Sequence, residues 1–316
     1  MKKLALCFSG QGSQYLNMGI DYIEANPEDK NWIKQVSSLL EFDVNEALQS
    51  ENAFEQTLKT QPLIVLKSLL GLRHILKLNP EINGMTGFSL GEYTAYYASG
   101  VFSLPTLLSL VQKRAEVMEQ AASANPGKMA AVIGLDRAKI LEVIAPIQTK
   151  GILVIANENE PKQYVISGEE SLVLEAVDAL KTAGARRVIV LKTSGAFHTS
   201  LMDQAQEQFS QFIQNNDILK PSQPKYKQYM NLNAKVLQKH DLLIHLTEQM
   251  THPVKFIDII LQMKKDGFTH FLEIGPGKVL TGLIQRIDPE LTVMSFDKWS
   301  EYETVKGWLN THGFTK

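Results

Sequence analysis

Met85-Thr86-Gly87-Phe88-Ser89-Leu90-Gly91-Glu92-Tyr93-Thr94-Ala95 is the stretch whose reading decides this chain. It contains Gly-x-Ser-x-Gly, and its surroundings matter more than the five letters. Pro80 to Asn83 read as a loop feeding a short strand at Gly84 to Gly87, and Glu92 to Ala98 has helical composition up to Gly100. A strand that turns sharply into a helix holds a serine at a strained backbone position with its hydroxyl exposed, the context of a nucleophile elbow. Gly87 and Gly91 remove side chains where strand and helix cross. The first N–H groups of the helix then point at any anion that develops on a substrate. Small residues also build ordinary strand-loop-helix turns; the flanking strand and helix favour the nucleophile.

The composition sets the frame. At 316 residues, the chain suits one large domain or two unequal ones. Hydrophobic residues make up 44% and charged residues 21%, the balance of an ordinary globular enzyme. A formal net charge of −2 gives no global attraction to nucleic acid or to an anionic membrane, and neither is expected as a partner. Cys7 is the single cysteine, which excludes an intrachain disulfide framework, and no Cys/His cluster has zinc spacing, so no metal is expected. The start, Met1-Lys2-Lys3-Leu4-Ala5-Leu6, is basic then apolar, but the apolar run stops at Phe8 and reads as a buried strand rather than a signal peptide. With no apolar run of membrane-spanning length, the cytoplasm is the expected compartment.

Leu4 to Phe8 is continuously apolar, as in a parallel strand covered on both faces. It ends in Ser9-Gly10-Gln11-Gly12-Ser13-Gln14, a loop beyond the carboxyl end of a strand, where ligands sit in open α/β sheets. Asn31 to Leu40 and Gln61 to Leu78 have helical periodicity, with Pro62 read as belonging to the first turn of the second helix. A further helix is predicted from Leu104 to about Ala121. Its apolar stripe of Leu107, Leu110, Val111 and Met118 includes Arg114. An inward guanidinium needs an anion; a structural salt bridge or a snorkelling arginine on one side, and a clamp for a substrate carboxylate on the other, account for it about equally well.

After Asn125-Pro126-Gly127 the pattern changes to strand Lys128–Leu135, helix Asp136–Ile147, strand Ile152–Ala156, strand Gln163–Ser167, helix Ser171–Ala183 and strand Arg186–Leu191. This is the βαββαβ order of ferredoxin-like folds, inserted into the larger unit. Parallel-sheet patterning resumes afterwards, with a strand at Phe268–Ile274, the turn Gly275-Pro276-Gly277 and a helix at Lys278–Ile287. A nucleophilic serine needs a base. Of the seven histidines, His198 alone follows a strand in a loop of small residues at a domain junction, so it is the best base. No aspartate to orient it is evident, since Asp203 is expected to face elsewhere on the next helix.

Several motifs recur together in one order: Gly10-Gln11-Gly12-Ser13-Gln14, Ser89-Leu90-Gly91-Glu92-Tyr93, Arg114, Asn157-x-Asn159-x-Pro161-x-Gln163, Gly195-Ala196-Phe197-His198, Gln249-x-x-x-Pro253-Val254, and Glu273-x-Gly275-Pro276-Gly277-Lys278-Val279-Leu280. With them the chain resembles the malonyl-CoA:acyl carrier protein transacylase family over essentially its whole length. The resemblance implies an α/β-hydrolase-like core with a parallel sheet (1–126 and 196–316) carrying a ferredoxin-like subdomain (127–195). It also implies ping-pong acyl transfer. Ser89 would attack the malonyl thioester with help from His198, N–H groups of Gln11 and Leu90 would form the oxyanion hole, and Arg114 would pair with the malonyl carboxylate. A main-chain carbonyl near Gln249 would orient the histidine, and Gln11, Asn159, Gln249 and Phe197 would shape the substrate site. Coenzyme A enters as a thioester substrate, with no cofactor, and acyl carrier protein is the partner of an expected monomer. Arg186 and Arg187 would meet phosphates of either carrier or be merely solvated. Two residues depart from the family pattern: Phe88 stands where histidine is usual, changing pocket polarity, and Ser9 stands where proline is usual, which would loosen the first loop. Rival readings are an acyl-thioester hydrolase, a silent carrier-binding module, and a free-standing acyltransferase serving a polyketide synthase.

Overall fold

The computed structural model describes residues 2–216 and 221–315. Its strands among these are β1 (Leu4–Phe8), β2 (Ile82–Gly87), β3 (Gly127–Ile133), β4 (Leu153–Glu160), β5 (Gln163–Glu169), β6 (Arg187–Val190), β7 (Lys227–Tyr229), β8 (His270–Ile274) and β9 (Thr292–Phe296). β1 is buried at every position because its side chains alternate between two cores. Leu4, Leu6 and Phe8 join the core of the Thr57–Lys77 and Leu104–Ala124 helices. Ala5 and Cys7 join the smaller core beneath the Phe256–Lys265 and Val279–Ile287 helices. That two-sided burial makes β1 the central strand of the parallel order β7-β2-β1-β8-β9.

The second sheet, in the order β4-β5-β3-β6, is antiparallel throughout. Helices Arg137–Gln148 and Glu170–Thr182 pack their apolar stripes on one face of it. Asp136 caps the first by accepting from the Lys139 N–H. The expected α/β core and the βαββαβ unit are therefore both present. The two sheets are stitched where β4 runs beside the segment after Gln249: Glu158 N–H donates to the Val254 carbonyl, and Val254 N–H to the Ala156 carbonyl, each at 2.9 Å.

Some boundaries differ from the sequence reading. The long helix begins at Thr57, so Pro62 lies inside it rather than in its first turn. An interior proline costs about 3 kcal/mol. Burial of Leu63, Ile64, Val65 and Leu66, at about 1.5–3 kcal/mol each, outweighs it. β4 continues to Glu160 past the predicted end at Ala156, because the polar Asn157 and Asn159 are themselves buried.

The elbow depends on a close crossing. A Cβ on Gly87 would lie 2.0 Å from the Gly91 carbonyl carbon, and one on Gly91 would lie 2.1 Å from the Phe8 carbonyl oxygen. Backbone atoms cannot rotate away. Gly87→Ala should therefore destabilise at or beyond the upper end of the about 1–3 kcal/mol usual for overpacking. Gly307→Ala, where a Cβ meets nothing within 4 Å, should be neutral or stabilising. Thermal unfolding of both variants checks this, and equal midpoints would contradict the crossing.

Candidate active site

Ser89 lies two residues past the end of β2 and has φ of 47°, a left-handed conformation costly for a residue with a side chain. Asn231, in the loop after β7, holds it there. Its Oδ1 accepts from the Ser89 N–H at 2.6 Å, and its Nδ2 donates to the Gly87 carbonyl at 2.7 Å. The Gly91–Ala98 helix then leads away from the serine.

His198 also has positive φ, at 62°, and its N–H donates to the Met250 carbonyl at 2.9 Å. The ring Nδ1 faces the carbonyls of Gln249 at 2.9 Å and His252 at 3.0 Å. Both can only accept, so Nδ1 carries the proton and Nε2 presents its lone pair to Ser89 Oγ, 2.9 Å away. Among the described residues no carboxylate takes part, and Asp203 is exposed at the start of its helix. Burial, reinforced by the Arg114 charge, pushes the imidazole pKa down to about 4.

Arg114 is 1% exposed. Its Nη1 donates to Gln61 Oε1 at 2.9 Å, and its Nη2 donates to Ser89 Oγ and to Gln249 Oε1, each at 3.1 Å. The guanidinium carbon lies 5.4 Å from the Tyr93 ring centroid. Burial pulls its pKa down, against the nearby Tyr93 and Glu92. Every group bonded to this cation is neutral, and its Nε has no partner among the described residues.

A cleft of about 330 Å3 opens over these groups, lined by Gln11, Phe88, Ser89, Arg114, Phe197 and His198, among others. Among the described residues the N–H groups of Gln11 and Leu90 donate to no other residue. Gln249 stands behind Ser89, its Nε2 donating to the Ser89 carbonyl at 3.0 Å. Asn159 is not in this cleft. It lines an adjoining cavity of about 220 Å3, with its Oδ1 unpartnered among the described residues, whereas Asn157 lines both. The Gly275-Pro276-Gly277 turn lines neither cavity; Val279 and Leu280 after it face the second. Phe88 packs on Phe256 with ring centroids 5.4 Å apart. Ser9 does not loosen its loop: Oγ donates to Glu273 Oε1 at 3.2 Å, and that carboxylate also accepts from the N–H groups of Leu280 and Thr281. Arg186 and Arg187 are exposed.

Three residues escaped the sequence reading. Gln61 was visible as an amide at the start of a long apolar helix. Glu92 lies in the elbow itself. Asn231 carries no local signal, because it reaches Ser89 only through the pairing of β7 with β2.

A hydroxyl at hydrogen-bond distance from a neutral imidazole, beside a buried cation in an open cleft, defines a serine acyl-transfer enzyme. Residues 6–295 match the acyl transferase domain family. More narrowly, the chain belongs to the malonyl-CoA:acyl carrier protein transacylase family. It is 35% identical over 312 residues to the malonyl CoA-acyl carrier protein transacylase of Staphylococcus aureus, covering 98% of this chain and 99% of that protein. It is 35% identical over 315 residues to the Bacillus subtilis protein of the same name, covering 98% of each. The crystal structure of MCAT from Streptococcus pneumoniae superposes with a TM-score of 0.90 at 36% identity, covering 97% of this chain and 100% of that one. A malonyl-transacylase in complex with a type II PKS acyl-carrier protein superposes at 0.92 with 30% identity, covering 97% and 99%.

A lowered histidine pKa keeps the neutral, basic form to lower pH. Acylation of Ser89 by acetyl-CoA, which carries no carboxylate, should therefore hold from pH 7 to about 5 and fall only on approaching about 4. His198→Ala should lower its rate by about 10²–10⁴-fold. A decline centred near the unperturbed ~6.5 would show the ring to be solvated instead.

Proposed function

We propose that this chain transfers a malonyl group from malonyl-CoA to the phosphopantetheine thiol of an acyl carrier protein through a malonyl-Ser89 ester, in the service of fatty-acid biosynthesis. The observation that carries this reading is the buried Arg114, with Nη2 3.1 Å from Ser89 Oγ. A single methylene separates the malonyl carboxylate from its thioester carbonyl. A cation that holds the carboxylate must therefore sit beside the nucleophile.

In the first half-reaction Ser89 Oγ attacks the thioester carbonyl while its proton passes to His198 Nε2. The N–H groups of Gln11 and Leu90 face the oxyanion. The intermediate collapses as the carbon–sulfur bond breaks, and His198 returns the proton to the departing coenzyme A sulfur. The second half-reaction reverses these steps with the carrier thiol as nucleophile. Phe88 and Phe197 give the acyl group apolar walls, and Asn159 shapes the cavity beyond. The chemistry needs no cofactor. A cation beside the nucleophile speaks against a general acyl hydrolase. The type II PKS complex among the structural relatives makes a polyketide carrier the alternative acceptor. We propose a monomer acting in the cytoplasm; among the described residues no helix is long and apolar enough to cross a membrane.

Mass spectrometry after brief incubation with malonyl-CoA should show one added malonyl unit, absent in Ser89→Ala. Removing one member of a buried charge pair costs about 2–5 kcal/mol. Arg114→Ala should accordingly cut malonyl transfer by about two orders of magnitude or more, with acetyl transfer unchanged or improved. Equal falls for both thioesters would make Arg114 structural.

A further inference from the structure

Glu92 lies one turn past the nucleophile, is 1% exposed, and is not itself among the residues that line the cleft. A buried carboxylate is costly unless its oxygens are satisfied. Here Oε1 accepts from the main-chain N–H of Asn231, and Oε2 accepts from Gln249 Nε2. Each link of this chain has a forced polarity. Arg114 can only donate, so Gln249 must turn Oε1 toward it. The Nε2 of Gln249 then faces two acceptors, the Ser89 carbonyl and Glu92. The Asn231 main-chain N–H can only donate, and its side chain holds the Ser89 N–H and the Gly87 carbonyl.

We infer that Glu92 is a positioning residue for malonyl recognition: as a two-sided acceptor it fixes the orientation of the Gln249 amide, and through that amide the place of the Arg114 guanidinium beside Ser89. The inference rests on the proposed malonyl transfer. Glu92 reaches Arg114 only from across an amide, which leaves the guanidinium free of an internal carboxylate that would compete with substrate. The arrangement also depends on charge state. A proton on Oε2 would set a donor against the Gln249 Nε2 donor. The amide would turn over and point Nε2 at Arg114, donor against donor. Burial pushes the Glu92 pKa up to about 8 even against the lowering pull of the Asn231 and Gln249 N–H bonds and of Arg114. Among the described residues the ionisable groups coupled to Glu92 are Arg114, from the Leu104–Ala124 helix, and Tyr93 and Tyr96 on its own helix. Burial keeps both phenols protonated.

The test compares malonyl-CoA and acetyl-CoA acylation from pH 4 to 9, per active site counted by ester formation, in wild type, Glu92→Gln, Gln249→Met and the double variant. Wild type should lose malonyl acylation on an acid limb centred near about 8 that acetyl acylation lacks, while both thioesters share the fall on approaching about 4. In Glu92→Gln the malonyl-over-acetyl ratio should fall about ten- to a hundredfold, the scale of one lost bond to a charged group, mainly through the KM for malonyl-CoA, and the extra limb should vanish. Gln249→Met should show the same loss, and the double variant no more than either, since both break one chain. An unchanged ratio, equal losses for both thioesters with only a lowered melting temperature, a surviving limb, or additive losses would overturn the inference. Should Glu92→Gln not fold, Gln249→Met and the wild-type profiles decide. Wild type that forms no malonyl ester would refute the proposed transfer itself, whereas an ester with unaltered selectivity in Glu92→Gln would refute only the role of Glu92.

Discussion

A guanidinium held out of water beside a reactive hydroxyl is the constraint on which this site depends. Taking such an ion from solvent costs several kcal/mol even after relaxation, so Arg114 must be given acceptors. A direct carboxylate would be the strongest, and it would also occupy the cation. The chain uses neutral oxygens instead: Gln61 from the helix that covers β1, Gln249 from the segment stitched to β4, and Ser89 itself. These satisfy part of the guanidinium and leave its charge uncancelled at the cleft. Arginine suits this better than lysine, because its planar fork can bond fixed amides and still meet a carboxylate with two parallel N–H groups.

The same economy governs the backbone. Ser89 and His198 both occupy left-handed conformations, at about 1–3 kcal/mol each on the usual scale, and neither is a glycine. Such strain persists only where the surroundings over-determine it. At Ser89 they do so through Asn231 and the Gly87–Gly91 crossing, and at His198 through the Met250 carbonyl and the two carbonyls that face Nδ1. The segment from Gln249 to Val254 therefore serves twice: it orients the His198 ring, and through Ala156 and Glu158 it fixes the small sheet against the large one. Catalytic geometry and the junction of the two sheets share one set of hydrogen bonds.

What the residues disclose in advance follows from how local each cause is. Strand β1, the Ser89 elbow and the βαββαβ order are written in short-range patterns, namely an apolar run, two glycines flanking a serine, and alternating periods of hydrophobicity. Arg114 was marked by its place on an apolar stripe, but its partners were not, because Gln61 and Gln249 lie 53 and 135 residues from it. A buried amide becomes visible only once the charge it serves is located. The interior position of Pro62 was hidden for the opposite reason. Local propensity puts proline at a helix start, and tertiary burial on both sides of it overrode that preference. β7 is three residues long, too short for any period to register, yet it carries the loop that holds Ser89.

Phe88 brings these strands together. The resemblance leads one to expect a histidine before the serine, a second polar and titratable ring at the mouth of the cleft. Phenylalanine packs instead on Phe256 and lines both the serine cleft and the cavity beyond it. With an apolar wall there, fewer polar groups compete for the acyl chain, and the local dielectric is lower. Electrostatic attraction grows as the dielectric falls, so a carboxylate that reaches Arg114 is held more strongly than it would be beside a hydrated imidazole. The departure at position 88 thus leaves the base untouched, since His198 is oriented from the opposite side by main-chain carbonyls. In the proposed malonyl transfer it shifts the burden of recognition further onto Arg114.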